Sequence, residues 1–245
     1  MTLTVSPQGT GFEVAAKSAW TGLATGVLHT LCGPDHLAGL TPLSIGRSRL
    51  AASALGALWG FGHSTGQMIL GLVFILLKDK FHDLVPALDA WSSWIVPLTI
   101  ILIGVIGIYE SCFKTPEDSE HGEVELAMAG GGSTSAKSSG GKRVGFATYM
   151  TGIVHGLQPD ALFVVIPALA LPTKAAAVAF IFMFVLGTVL SMGAYTLLIG
   201  TTSKALIKEQ PWLQAHLSTI ACCIAILCGC LMLLAGRGVP VPFFP

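Results

Sequence analysis

The sequence predicts an all-α membrane protein: six transmembrane helices built as a 3+3 inverted repeat, with broken helices in spans 1 and 4. Three observations predict it. The composition is 53% hydrophobic and 11% charged, against about 25% charged in an ordinary soluble domain. Six apolar runs are each long enough to span a bilayer, which takes about 20 residues. The second half of the chain repeats Pro, Gly, His and Asp positions of the first.

The charge count excludes several classes. Thirteen basic and 13 acidic residues are too few to coat a soluble protein of 245 residues. Mean hydropathy is +0.75 and the pI about 7.0. The net charge of zero gives no basic footprint for nucleic acid. The six cysteines, Cys32, Cys112, Cys222, Cys223, Cys228 and Cys230, sit mostly in apolar runs and lack zinc-finger spacing. Residues 1–12 lack the basic start and apolar core of a signal peptide, and none is expected there. No phosphate-cradling loop pattern occurs, so ATP is not expected as a direct fuel.

In chain order, the first span, 18–46, is interrupted by Asp35. Spans 51–77 and 90–109 follow, both free of Asp, Glu, Lys and Arg. The segment 114–143 begins acidic and ends Gly/Ser-rich, which reads as a flexible linker between repeat one (16–113) and repeat two (144–238) of a single membrane domain. His121 lies among its acids and reads as part of a solvated tether. Span 144–173 is interrupted by Asp160, and spans 175–203 and 210–236 complete the set. The five tryptophans fall near span ends, as interface anchors do. Loops after spans 1, 3 and 5 hold eight of the basic residues and the opposite side five. That bias places the linker on the cytoplasmic or stromal side and both termini opposite, in a cell (inner) membrane or a plastid membrane.

The repeat is specific. Gly26-Val27-Leu28-His29 matches Gly152-Ile153-Val154-His155, and Pro34-Asp35 matches Pro159-Asp160. The second half has one residue fewer between His and Pro-Asp. From there an offset of 125 pairs Pro42 with Pro167, Gly62 with Gly187, Pro86 with Pro211 and Gly104 with Gly229. Three spans per repeat turn the second copy over, as in secondary transporters, whose sites lie on broken helices at the repeat interface. Both interrupted spans carry a breaker at the matching place, Gly33-Pro34 and Pro159. Proline removes a backbone donor, and the freed carbonyls need partners that lipid does not supply.

His29, Asp35 and His36 crowd the first break, His63 lies within the second span, and His155 and Asp160 flank the second break. An ionisable group inside a span costs at least ~2.5 kcal/mol and marks a pathway. Imidazoles and a carboxylate suit nickel, cobalt or zinc, and the expected metal ligands are His29, Asp35, His36 and His63. His155 and Asp160 are expected in gating or proton coupling; an N-cap role for Asp160 is the bland alternative. On a straight helix, residues seven apart are separated by ~10 Å. Either the break folds His29 and His36 together, or the ion takes one of them with His63. Cys32 and the four cysteines of the last span read as packing residues. Ser64, Thr65, Gln67 and Thr188 either line the path or make interhelical hydrogen bonds, and His82 and His216 sit at span ends facing water.

At these residues the chain resembles the nickel/cobalt transporter superfamily, in its shorter, six-span urease-accessory-type branch, which has plastid members. The resemblance rests on His29 to Ala38, on Gly62-His63-Ser64 and on His155 to Asp160, and covers nearly all of the chain outside the first fifteen residues and the linker. It implies that His29, Asp35 and His36 carry metal recognition, with His63 as the histidine of the next span. The family places four residues between the first two histidine-motif positions; here there are five, Thr30 to Pro34.

The expected function is therefore secondary transport of a divalent transition-metal ion by alternating access. The expected partners are the ion and the bilayer, without nucleic acid, and homo-oligomerisation stays open. No enzymatic activity and no resident cofactor are expected. The alternatives are a membrane thiol–disulfide relay through Cys32, an assembly factor that presents metal to an apoenzyme, and a transporter of another small solute held at half-helix N-termini.

Overall fold

The computed structural model describes residues 11–76, 81–113, 140–210 and 212–241. Every regular element of the described residues is helical. The first half comprises α1 (Gly11–Cys32), α2 (Pro34–Ser44), α3 (Arg49–Leu76) and α4 (Phe81–Phe113). The second comprises α5 (Gly140–Gly156), a 3-10 turn (Pro159–Ala161), α6 (Leu162–Ala170), α7 (Lys174–Glu209) and α8 (Leu213–Ala235). Of the expected linker, 114–139 lies outside the described residues, as do Pro211 and the His82 side chain; α5 already begins at Gly140.

Both expected breaks are present. Gly33 is extended (φ −83°, ψ 101°), and Pro34 opens α2 at the helix start, where its missing N–H costs nothing. Gln158 is likewise extended (φ −106°, ψ 160°), and Pro159 opens the 3-10 turn. The axis bends by 76° between Gly145–Gly156 and Pro159–Ala170. The turn from α2 into α3 uses Gly46 at φ 77°, a conformation that suits glycine. The Gly46 N–H donates to Ser203 Oγ at 3.1 Å and ties this turn to α7. Thr173 caps α7 by accepting from the Ala176 N–H at 3.1 Å.

By length and hydropathy, three described helices can cross a membrane, Val85–Ser111, Lys174–Glu209 and His216–Ala235, or four if the bent pair counts as one span. The six expected spans are met to that extent. The first interrupted span and α3 fall outside this set, and these are the segments that carry His29, Asp35, His36, His63, Ser64, Thr65 and Gln67. They hide those polar groups inside the bundle: Asp35, His36, His63, Ser64 and Gln67 are all buried.

Glycines set the helix packing. A Cβ on Gly22 or Gly26 of α1 would strike the carbonyl of Phe180 or Phe184 on α7. A Cβ on Gly62 or Gly66 of α3 would strike the carbonyl of Tyr149 or Ile153 on α5. In both pairs the contacts ascend together, so the helices are parallel. Between α3 and α7 they descend, Gly56 meeting Thr196 and Gly60 meeting Val189, so that pair is antiparallel. It follows that α1 runs opposite to α5. The contacts also map onto one another. Gly26 on Phe184 corresponds to Gly152 on Trp59, Gly62 on Tyr149 to Gly187 on Leu23, and Gly104 on Cys222 to Gly229 on Pro97.

The short helices differ. α2 is wedged between α4 and α8, with Ala38 packed among Val96, Ile100 and Ala225. α6 instead presents Phe163, Ile166 and Leu169 outward. Beside α2, Leu40, Leu55, Trp59 and Met192 form a solid apolar cluster, and the Thr41 hydroxyl bonds the Tyr195 hydroxyl at 2.6 Å.

Candidate metal centre

The break at Gly33 delivers the first donors. α1 ends one turn beyond His29, the extended Gly33 breaks the helix, and α2 starts with Asp35 and His36 in its first turn. The His29 and His36 rings come to 5.2 Å between centroids, edge to face. Gly33 makes this approach feasible, because a Cβ there would run into the His36 ring. His63 enters from α3, its ring 4.6 Å from that of His36 and 5.4 Å from that of His29. Of the two arrangements that the sequence left open, the structure contains both: the break folds His29 and His36 together, and His63 joins them.

The fourth group comes from the other half. His29, His36, His63 and Asp160 each offer one ligand atom, and these atoms all lie within 4.8 Å of one another. His29 Nε2 stands 3.1 Å from His63 Nε2 and 3.4 Å from Asp160 Oδ2, and His63 Nε2 stands 3.9 Å from Asp160 Oδ2. These separations straddle the ~3.4 Å edge of a tetrahedron with ~2.1 Å bonds. His29 Nε2 carries one proton or one lone pair, never both, yet His63, Asp160 and Gln67 all converge on it. Both His36 ring nitrogens, His63 Nδ1 and Asp160 Oδ1 are buried with no hydrogen-bond partner. Buried polar groups left unpaired are costly, and a cation held by three imidazoles and a carboxylate would give one His36 nitrogen a partner and resolve the crowding at His29 Nε2.

The remaining expected residues are placed as follows. Asp35 sits beside the cluster, its Oδ2 3.7 Å from His36 Nε2 and accepting from Gln158 Nε2 at 3.3 Å. The carboxylate within the cluster is thus Asp160, while Asp35 leans on the second half. His155, the counterpart of His29, stands apart: its Nε2 bonds Thr99 Oγ1 at 2.8 Å and its ring packs 5.0 Å from Trp59. The N-cap position of α6 is Ala161 and not Asp160. Of the hydroxyl and amide group, Gln67 enters the site, its Nε2 3.2 Å from His29 Nε2 and 3.5 Å from Asp160 Oδ2. Thr188 accepts no such role and donates to the Gly26 carbonyl at 3.5 Å. His216 is exposed, as expected.

Gln158 and Thr99 were not singled out in the sequence. Gln158 had a usable signal, since it precedes the second break and also donates to the His155 carbonyl at 2.7 Å. Thr99 had none, being one hydroxyl in an apolar span. A cavity of about 470 Å³ opens onto the cluster, walled by His29, Cys32, Asp35, His36, Gln158 and Asp160 among others. Cys32, Cys222, Cys223, Cys228 and Cys230 are all free thiols.

A family model described as the cytochrome c biogenesis protein transmembrane region matches residues 19–231. The chain belongs to that family. The chain is similar to two Arabidopsis thaliana proteins, Chloroplast protein FOR GROWTH AND FERTILITY 1 (47% identity, 91% of this chain and 62% of the relative) and 2 (49% identity, 85% and 54%). The chain thus spans little more than half the length of these relatives. The likeness to the urease-accessory branch is met more distantly, by Urease accessory protein UreH of Bacillus sp. (strain TB-90), at 28% identity over 73% of this chain and 74% of that protein. The matching family model is the cytochrome c biogenesis one and not a nickel/cobalt one. No solved structure matches the chain.

Proposed function

We propose that this chain is a secondary transporter for a divalent transition-metal ion such as nickel, cobalt or zinc, working by alternating access. It is a transport protein and not an enzyme, and the ion is its cargo. The observation that carries this reading is the cluster of His29, His36, His63 and Asp160, with ligand atoms within 4.8 Å of one another beside a cavity. Neutral imidazole with one carboxylate favours such ions over calcium or magnesium, which take oxygen ligands.

The architecture proposed is six spans in a 3+3 inverted repeat, with α1–α2 and α5–α6 as the broken spans. Support comes from the opposite directions of α1 and α5 and from the glycine contacts that recur at the repeat offset. The names of the two Arabidopsis relatives favour a plastid membrane, and the loop charges favour a stromal linker. His155 and Asp35, joined to each other through Gln158, with Asp35 beside His36, are proposed as gating or proton-coupling residues.

The test is metal uptake into proteoliposomes by the wild-type chain and by His36→Ala. Uptake by the wild type that collapses in the variant is the expected result, and equal uptake by both would remove His36 from the site. A second reading, a membrane thiol–disulfide relay, draws on the family description and on Cys32 in the cavity wall. It requires Cys32 to cycle, so electron transfer across the membrane that Cys32→Ser abolishes would favour it.

A further inference from the structure

Gln67 lies one turn beyond His63 on α3 and is buried. Its amide reaches into the donor cluster. Nε2 is 3.2 Å from His29 Nε2 and 3.5 Å from Asp160 Oδ2, while Oε1 is buried with no hydrogen-bond partner. The amide N–H groups therefore address two of the four atoms that a cation would take, and they compete with it for the same lone pairs. At the matching position of the second half stands Met192, and the counterparts of His36 and His63 are Ala161 and Thr188. Two of the three histidine donors and the amide that bridges the set thus have no equivalent in the other half.

Turning the amide about its last bond interchanges Nε2 and Oε1. The carbonyl oxygen then faces the donors, a position that repels His29 and Asp160 unless a cation lies between them. The oxygen gives up no hydrogen bond by turning, because it has none. Resting on the metal-transport reading, we infer that Gln67 is an exchangeable ligand: its N–H groups hold His29 and Asp160 between turnovers, and its carbonyl oxygen joins the ion once bound. Four protein donors then become five, the ion always meets a filled donor set, and the amide replaces it on departure.

The experiment is the visible spectrum of Co²⁺ bound to the purified chain in detergent, for wild type, Gln67→Met, Gln67→Glu and His36→Ala. The coordination number of Co²⁺ is read from band intensity and position, since geometry is diagnostic of the donor set. Wild type and Gln67→Glu are expected to give five-coordinate spectra, with Gln67→Glu binding ~10-fold more tightly. Gln67→Met, which places the Met192 side-chain type in the same niche, is expected to give the more intense four-coordinate spectrum. A wild-type chain that binds no Co²⁺ overturns the metal reading and this inference with it. Bound Co²⁺ whose bands change in His36→Ala but not in Gln67→Met overturns the inference and leaves the metal reading standing. If Gln67→Met does not fold, a Gln67→Glu affinity equal to the wild type has the same force.

Discussion

His29 Nε2 and Asp160 Oδ2 stand 3.4 Å apart, although one precedes the break of the first half and the other follows the matching break of the second. Each half thus completes a group of polar atoms that neither holds alone. The converse pairing also occurs: Asp35 of the first half accepts from Gln158 of the second. The two carboxylates of the repeat have exchanged sides, and only one of them faces the three imidazoles.

That exchange ranks the carboxylates. Asp160→Asn is expected to lower Co²⁺ affinity by ~100-fold or more, whereas Asp35→Asn, which touches the site only through His36, is expected to cost ~10-fold. Metal titration of both purified variants checks the order, and an equal loss would place Asp35 among the ligands.

The helix pairing predicts a symmetric sensitivity. Gly26→Val and Gly152→Val each drive a side chain into a backbone carbonyl of the neighbouring helix, Phe184 and Trp59 respectively. Backbone yields poorly, so each is expected to destabilise by about 1–3 kcal/mol. Thermal unfolding in detergent measures this. A neutral Gly152→Val beside a damaging Gly26→Val would break the correspondence of the halves.

Thr99→Val tests what lies outside the centre. His155 Nδ1 already lacks a partner, and the Thr99 hydroxyl is the one group bonded to its Nε2 among the described residues. Its loss is expected to cost about 1–3 kcal/mol of stability while leaving Co²⁺ affinity unchanged. A shifted affinity in this variant would bring His155 into the metal centre.

Cys32→Ser separates transport from thiol chemistry. Cys32 borders the cavity but is absent from the four-donor group. Metal uptake into vesicles is expected to persist in this variant, and its abolition would shift the assignment towards the relay.

The broken helices were legible because their cause is local. Gly33-Pro34 and Pro159 forbid a continuous hydrogen-bond ladder wherever they occur, and the helix is interrupted at both. The meeting of His29, His36 and His63 was partly legible, since the residues advertise themselves by their cost in lipid. The choice of Asp160 over Asp35 was not. It depends on how the second half docks against α1 and α3, a long-range relation that no spacing within either repeat encodes. Thr99 and Gln158 were hidden for the same reason, because each acts through a partner far away in sequence. In α3 a run free of charges still holds His63, Ser64, Thr65 and Gln67, and these lower its hydropathy.

Three imidazoles ride on α1, α2 and α3, and the carboxylate rides on the 3-10 turn between α5 and α6. A displacement of that turn against α1, α2 and α3 would therefore take the one anionic group from the cluster while the neutral ones stay together. The cluster is a joint as much as a pocket, because the anionic member and the neutral members belong to different lengths of chain and keep company only while those lengths stay docked.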